Sequence, residues 1–118
     1  MANAKSRRRS RFRLVILLLL ATGLAALWFS SLGQRLRGDA AAGTAYAARV
    51  VCSCRFVAGR SMEDCAKDKL AGMGLIRLSD DEEAKSVTAS VPLIARETAR
   101  LRPGYGCVLA PYSDRQSE

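Results

Sequence analysis

Leu14-Val-Ile-Leu-Leu-Leu-Leu-Ala-Thr-Gly-Leu-Ala-Ala-Leu-Trp-Phe29 decides the architecture of this 118-residue chain. Continued through Ser30 and Ser31 to Leu32, it gives 19 residues without a charge. A helix rises about 1.5 Å per residue, so the run reaches roughly 28 Å, close to the thickness of a hydrocarbon core. Lipid offers no partner for backbone N–H and C=O groups, which makes helix the conformation expected there. Trp28 and Phe29 stand at its far end, where aromatic rings settle among headgroups.

Immediately before it, residues 1–13 carry Lys5, Arg7, Arg8, Arg9, Arg11 and Arg13 and no acid. The formal net charge of +8 is concentrated in this tip, because the remainder of the chain holds 13 basic and 11 acidic residues. A nucleic-acid-binding domain is expected to carry a basic face of its own, so that class of partner is excluded. The Lys/Arg bias places residues 1–13 in the cytoplasm and everything after the apolar run outside. The expected location is an inner (plasma) membrane crossed once, with the C-terminal domain periplasmic or otherwise extracytoplasmic.

Two other readings of the run compete with an uncleaved anchor. A cleaved signal peptide has the same basic and apolar regions. Its best small-x-small sites are Gly23-Leu24-Ala25, inside the apolar run, and Ala40 to Ala42, well beyond it. A buried soluble helix is the other. Ser6-Arg-Arg-Arg9 resembles a twin-arginine signal only loosely, since Ser10-Arg11 stands where such signals are hydrophobic.

Downstream, residues 33–45 read as a juxtamembrane stalk, interrupted by Gly33, Gly38 and Gly43 and poor in bulky side chains. The folded unit is expected over residues 46–111, followed by a polar tail at 112–118. Arg49–Val57, rich in valine and cysteine, reads as a strand. Ser61 with Asp64 has capping-box spacing and opens a short helix to Leu70, with Met62, Cys65, Ala66 and Leu70 on one face. Leu75–Leu78 reads as a strand and Asp80–Glu83 as a solvated acidic turn. Ser86–Leu93 alternates, placing Val87, Ala89, Val91 and Leu93 on one face, and Pro92 puts its end at a sheet edge or bend. Strands at Glu97–Leu101 and Cys107–Leu109 flank the turn Pro103-Gly-Tyr-Gly106. The fold class is α+β: an N-terminal transmembrane helix, then a small disulfide-stapled domain with a mostly antiparallel sheet and one short helix.

A unit of this size buries a modest core and benefits from covalent staples. Cys52, Cys54, Cys65 and Cys107 all follow the anchor, in a compartment where disulfides persist. Four cysteines allow three pairings. On a strand, Cys52 and Cys54 share a face but are poorly aimed for a mutual bridge. Each therefore pairs with Cys65 or Cys107, which leaves two connectivities. The preferred one is Cys54 with Cys65, tying the first strand to the following helix, and Cys52 with Cys107, tying that strand to the last. Zinc ligation lacks histidine and a second cysteine pair, and a thiol redox site lacks the Cys-x-x-Cys spacing.

No catalytic constellation is legible. The absence of histidine excludes an imidazole base, and neither a Ser-x-x-Lys nor a Gly-x-Ser-x-Gly motif occurs. Asp80–Glu83 lacks the alternating ligands and glycine of a calcium loop. Gly72-Met-Gly74 is no phosphate cradle. Arg96, Arg100 and Arg102 are either a basic stripe for an anionic partner or a solvated sheet face. No cofactor or metal is implied, and the chain is expected not to be an enzyme.

Four blocks carry a resemblance: Tyr46-Ala-Ala, Val51-Cys-Ser-Cys-Arg-Phe-Val-Ala-Gly-Arg60, Ala84-Lys-Ser-Val-Thr-Ala-Ser90 and Arg102-Pro-Gly-Tyr-Gly-Cys-Val-Leu109. In order and character they are similar to the membrane-proximal N-terminal region ahead of the catalytic domain in bacterial envelope serine hydrolases of the β-lactamase-related class. The resemblance spans roughly residues 46–109 and includes no active-site motif. It implies a shared small module and a bacterial envelope location, and transfers no hydrolase activity. The functional expectation is a membrane-tethered interaction or accessory module with an envelope protein partner. An accessory subunit or remnant of a serine hydrolase system is the alternative, and a thiol redox protein the third.

Overall fold

The computed structural model describes the backbone of residues 2–110 and the side chains of residues 6–110. The expected tail at 112–118 lies outside the described residues. The chain divides into two compact units, residues 1–36 and residues 37 onward.

In the first unit, helix α1 spans Ala2–Phe29. Its Ser6–Phe29 stretch is long and apolar enough to cross a membrane, with a mean hydropathy of 2.2 and no part of its apolar window buried. Leu14 to Leu20, Leu24, Leu27, Trp28 and Phe29 are exposed large apolar side chains. Thr22, the polar interruption, turns its hydroxyl back to the carbonyls of Leu18 and Leu19 at 2.9 and 3.0 Å, which keeps the helix surface apolar.

Helix α1 ends at Phe29, three residues before the expected end of the anchor at Leu32, and the chain bends at Ser30. Ser30 Oγ donates to the Leu27 carbonyl at 2.7 Å and accepts the Gly33 N–H at 3.2 Å, so one hydroxyl serves both the end of α1 and the start of the next helix. Gly33 is required in that corner. A Cβ there would meet the Leu27 carbonyl oxygen, and the Trp28 carbonyl oxygen at 2.7 Å.

Helix α2 spans Ser31–Cys52, and a π-helical turn, Ser53–Val57, continues it. One expectation is corrected here: Arg49–Val57 is helical and no strand. Residues 33–45, read as the stalk, lie within α2. Ala40–Ala48 is dense in the best helix-forming residue, and the buried positions Thr44, Ala47, Ala48, Val51 and Cys52 recur at helical spacing. Val50 and Val51 favour strands intrinsically, but the buried stripe decides the outcome.

A short helix, α3 (Met62–Cys65), starts at Ser61, whose Oγ accepts the Asp64 N–H at 3.2 Å, and a 3₁₀ turn carries it to Asp68. It ends before the expected Leu70, which is exposed and so adds no buried face to extend it. Four strands follow: β1 (Arg77–Asp81), β2 (Ser86–Val91), β3 (Ala95–Arg102) and β4 (Gly106–Leu109). They form one antiparallel meander in the order β1-β2-β3-β4. β1 lies two residues later than expected. β2 is an interior strand, so Pro92 marks the bend of a hairpin and no sheet edge.

The fold is α+β, with an apolar N-terminal helix, an antiparallel sheet and a short helix, as the sequence implies. One face of the sheet presents Leu78, Val87, Ala89, Ala99, Leu101 and Cys107 to the cluster that also holds the buried stripe of α2. The fully buried side chains are small: Val51, Val87, Thr44, Cys52 and Cys65 are the largest. Small side chains let backbones approach closely but contribute little apolar area each, which leaves stability dependent on the two disulfides.

Candidate functional site

The four cysteines form two bridges, Cys52–Cys107 and Cys54–Cys65, with Cα atoms 6.0 and 5.7 Å apart. Their geometry has a different origin from the strand reading. Cys52 ends α2 and reaches β4, while Cys54, within the π-helical turn, is aimed at α3. A helical backbone rotates the two side chains apart, where a strand would set them on one face. The bridges thus fasten the end of α2 both to the far edge of the sheet and to the short helix.

Arg55, between the cysteine pair and Phe56, adds a polar tie that the sequence did not single out. Its Nε donates to Asp80 Oδ2 at 2.9 Å, and its Nη2 pairs with Glu82. Its guanidinium carbon also lies 5.6 Å from the Phe56 ring centre. The run Asp80–Glu83 is therefore only partly a solvated turn, since Asp80 and Glu82 hold Arg55 and Asp81 Oδ1 accepts the Ala84 N–H at 2.9 Å. On α3, Asp64 joins Arg60 at 2.8 Å and Lys67 at 3.3 Å, and Arg60 reaches Asp68 at 3.1 Å. Hydrogen bonds from Arg60 and then Lys67 hold the Asp64 carboxyl below the usual aspartate value, and the Asp64 hydrogen bond raises the Arg60 guanidinium. Among the described residues, no group of three or more metal-ligating side chains occurs.

Glu97, on β3 opposite Ala89, is buried on the core side of the sheet. The strand's alternation places it there, against the preference of its charge for water. Arg96, Arg100 and Arg102, the expected basic stripe, occupy the other face of β3 and are exposed. Arg77 of β1 lies on that same outer face: Arg77 and Arg96 both oppose Ser90 of β2, one from each side. The next row is Ser79, Thr88 and Thr98, where the two threonine hydroxyls are 2.8 Å apart.

The hairpin turns at the two ends of β3 share one plan. In Arg102-Pro103-Gly104-Tyr105 the Tyr105 N–H donates to the Arg102 carbonyl at 3.0 Å, and Gly104 has φ +80°. In Val91-Pro92-Leu93-Ile94 the Ile94 N–H donates to the Val91 carbonyl at 3.1 Å, and Leu93 has φ +62°. Proline followed by a residue at positive φ is the pattern of a type II turn, whose third position calls for glycine. One turn has glycine there, and the other has leucine. Leu93 gains no burial in return, being 98% exposed, although the alternation of β2 assigns it to the core face. The turn takes the chain out of the strand at Val91 and ends the alternation before Leu93 is reached.

A shallow groove of about 560 Å³ runs beside β4, lined by Ala45, Tyr46, Arg49, Val50, Ser53 and Leu109. No family model matches the chain, and no curated protein or solved structure matches it.

Proposed function

We propose that this chain is a membrane-tethered, extracytoplasmic interaction module of the bacterial envelope, acting by binding a protein partner and performing no chemistry of its own. The observation that carries this reading is the combination in one short chain of an uncovered apolar helix of membrane-spanning length and a small-residue core held by two disulfides. Oxidised cysteine pairs are the chemistry of compartments outside the cytoplasm. The arginine-rich residues before the apolar run support an N-terminus on the cytoplasmic side of the inner membrane, which puts the cysteines on the oxidising side. The resemblance to the region that precedes envelope serine hydrolases supports the bacterial setting and a module that works beside another protein.

Chemical crosslinking of the full chain in native membranes, followed by mass spectrometry, tests the reading. The expected result is one envelope protein recovered repeatedly through residues of the disulfide-bearing unit. Recovery of abundant membrane proteins alone, without enrichment over a scrambled-orientation control, would overturn it.

A further inference from the structure

Leu93 is placed where this fold gains nothing from a leucine. Its backbone conformation is one that L side chains rarely adopt, and the equivalent position of the sister hairpin is Gly104. Its side chain is almost wholly in solvent, and the neighbouring Ile94 is exposed as well. A residue that violates local preference without a packing return is the kind of position retained for contact with something outside the fold.

The surroundings describe that contact. Arg77 and Arg96 flank the hairpin on the outer face of the sheet, and with Pro92, Leu93 and Ile94 they line one shallow concavity of about 500 Å³. Among the described residues neither arginine takes part in an ion pair, whereas Arg55 and Arg60 each hold two carboxylates. The acidic run Asp80–Glu83 begins at the opposite end of β1, so the strand direction separates it from the hairpin tip. The tip is thus apolar at its point and cationic at its shoulders. Leucine and isoleucine suit the boundary between headgroups and acyl chains, while guanidinium groups suit lipid phosphates. A protein pocket would accept the leucine but has no general need for two flanking, unpaired cations.

We propose that the β2–β3 hairpin tip is an anionic-lipid-binding element, in which Leu93 and Ile94 enter the bilayer surface and Arg77 and Arg96 bind phospholipid phosphates. This rests on the tethered reading, since an anchor in the same chain holds a bilayer at high effective concentration. A single hairpin tip with two arginines would bind weakly alone, and the tether makes weak binding sufficient.

The test uses the full chain carrying Trp28→Phe and Leu93→Trp, reconstituted in bilayers with acyl chains brominated near the headgroup. Mixed phosphatidylglycerol–phosphatidylcholine and pure phosphatidylcholine are compared, and flotation establishes insertion independently. Quenching of the introduced indole in the anionic bilayer, weaker in the neutral one, is expected. Adding Arg77→Ser and Arg96→Ser should lower the docking equilibrium about 30-fold, about fivefold for each arginine at an anionic surface. A control with Trp28→Phe and Tyr105→Trp reports the opposite turn and should remain unquenched. An unquenched indole at position 93 in a chain that floats with the bilayer overturns the proposal and leaves the tether standing. Equal quenching in neutral lipid, or equal quenching at position 105, overturns it as well. Failure to float instead removes the tethered reading itself.

Discussion

Replacing Leu93 by glycine should stabilise the protein, although it deletes a large apolar side chain. The left-handed conformation costs a side-chain-bearing residue about 1–2 kcal/mol, and glycine adopts it freely. Glycine's greater freedom in the unfolded chain returns about 0.5–1 kcal/mol of that gain. The leucine side chain is 98% exposed, so its removal forfeits essentially no burial. The net expectation is a gain of about 0.5–1 kcal/mol. For a folding unit of this size that corresponds to a rise in Tm of about 2–8 °C.

Thermal unfolding of the full chain in non-denaturing micelles, with disulfides intact and followed by near-ultraviolet circular dichroism, measures the change. The sister hairpin supplies the mirror experiment: Gly104→Leu introduces the same strain and should lower Tm. An unchanged or lowered Tm for Leu93→Gly refutes the reasoning, because it would mean that the leucine makes a stabilising contact or that the turn carries no strain. If the hairpin tip also binds lipid, this one substitution raises stability while weakening docking, the trade expected of a position kept for contact at the expense of the fold.

The two disulfides should differ in their effect. On chain entropy, the Cys52–Cys107 bridge, with a separation of 55 residues, contributes about 4 kcal/mol, and Cys54–Cys65, with a separation of 11, about 3 kcal/mol. Paired Cys→Ser variants compared by urea unfolding should therefore rank in that order, and the reverse ranking would show that the shorter bridge carries more than loop closure. Asp64 should titrate below the ordinary aspartate value of 3.8, because Arg60 and Lys67 favour its charged form. Since folding lowers its pKa, its contribution is present above 3.8 and is lost as pH falls through the lowered value. A carboxyl NMR titration gives the midpoint directly, and a midpoint at or above 3.8 contradicts the Arg60–Asp64–Lys67 geometry.

How much was legible in the sequence depended on the range of the forces involved. The apolar run from Leu14 announces its helix because an uncharged stretch of that length has few other stable conformations in lipid. Ser86–Val91 declares itself a strand through strict alternation, Pro103-Gly104 a turn through backbone chemistry, and Ser61 a helix start through a hydroxyl within reach of the Asp64 N–H. In each case the cause lies within a few residues of its effect.

Tertiary structure decided the rest. Arg49–Val57 carries strand-favouring valines, and only the sheet formed by residues 77–109 gives the face with Thr44, Ala47, Ala48 and Val51 something to bury against. Arg55 found Asp80 and Glu82 only when the π-helical turn met β1, and the burial of Glu97 followed from the face that β3 turned to the core. Leu93 shows the same division most plainly. Its identity placed it in the core by alternation, whereas the hairpin closed by the Ile94 N–H and the Val91 carbonyl turned it into solvent. Short-range sterics and solvent preference are written residue by residue, but which faces meet is settled only when distant segments compete for the same buried surface.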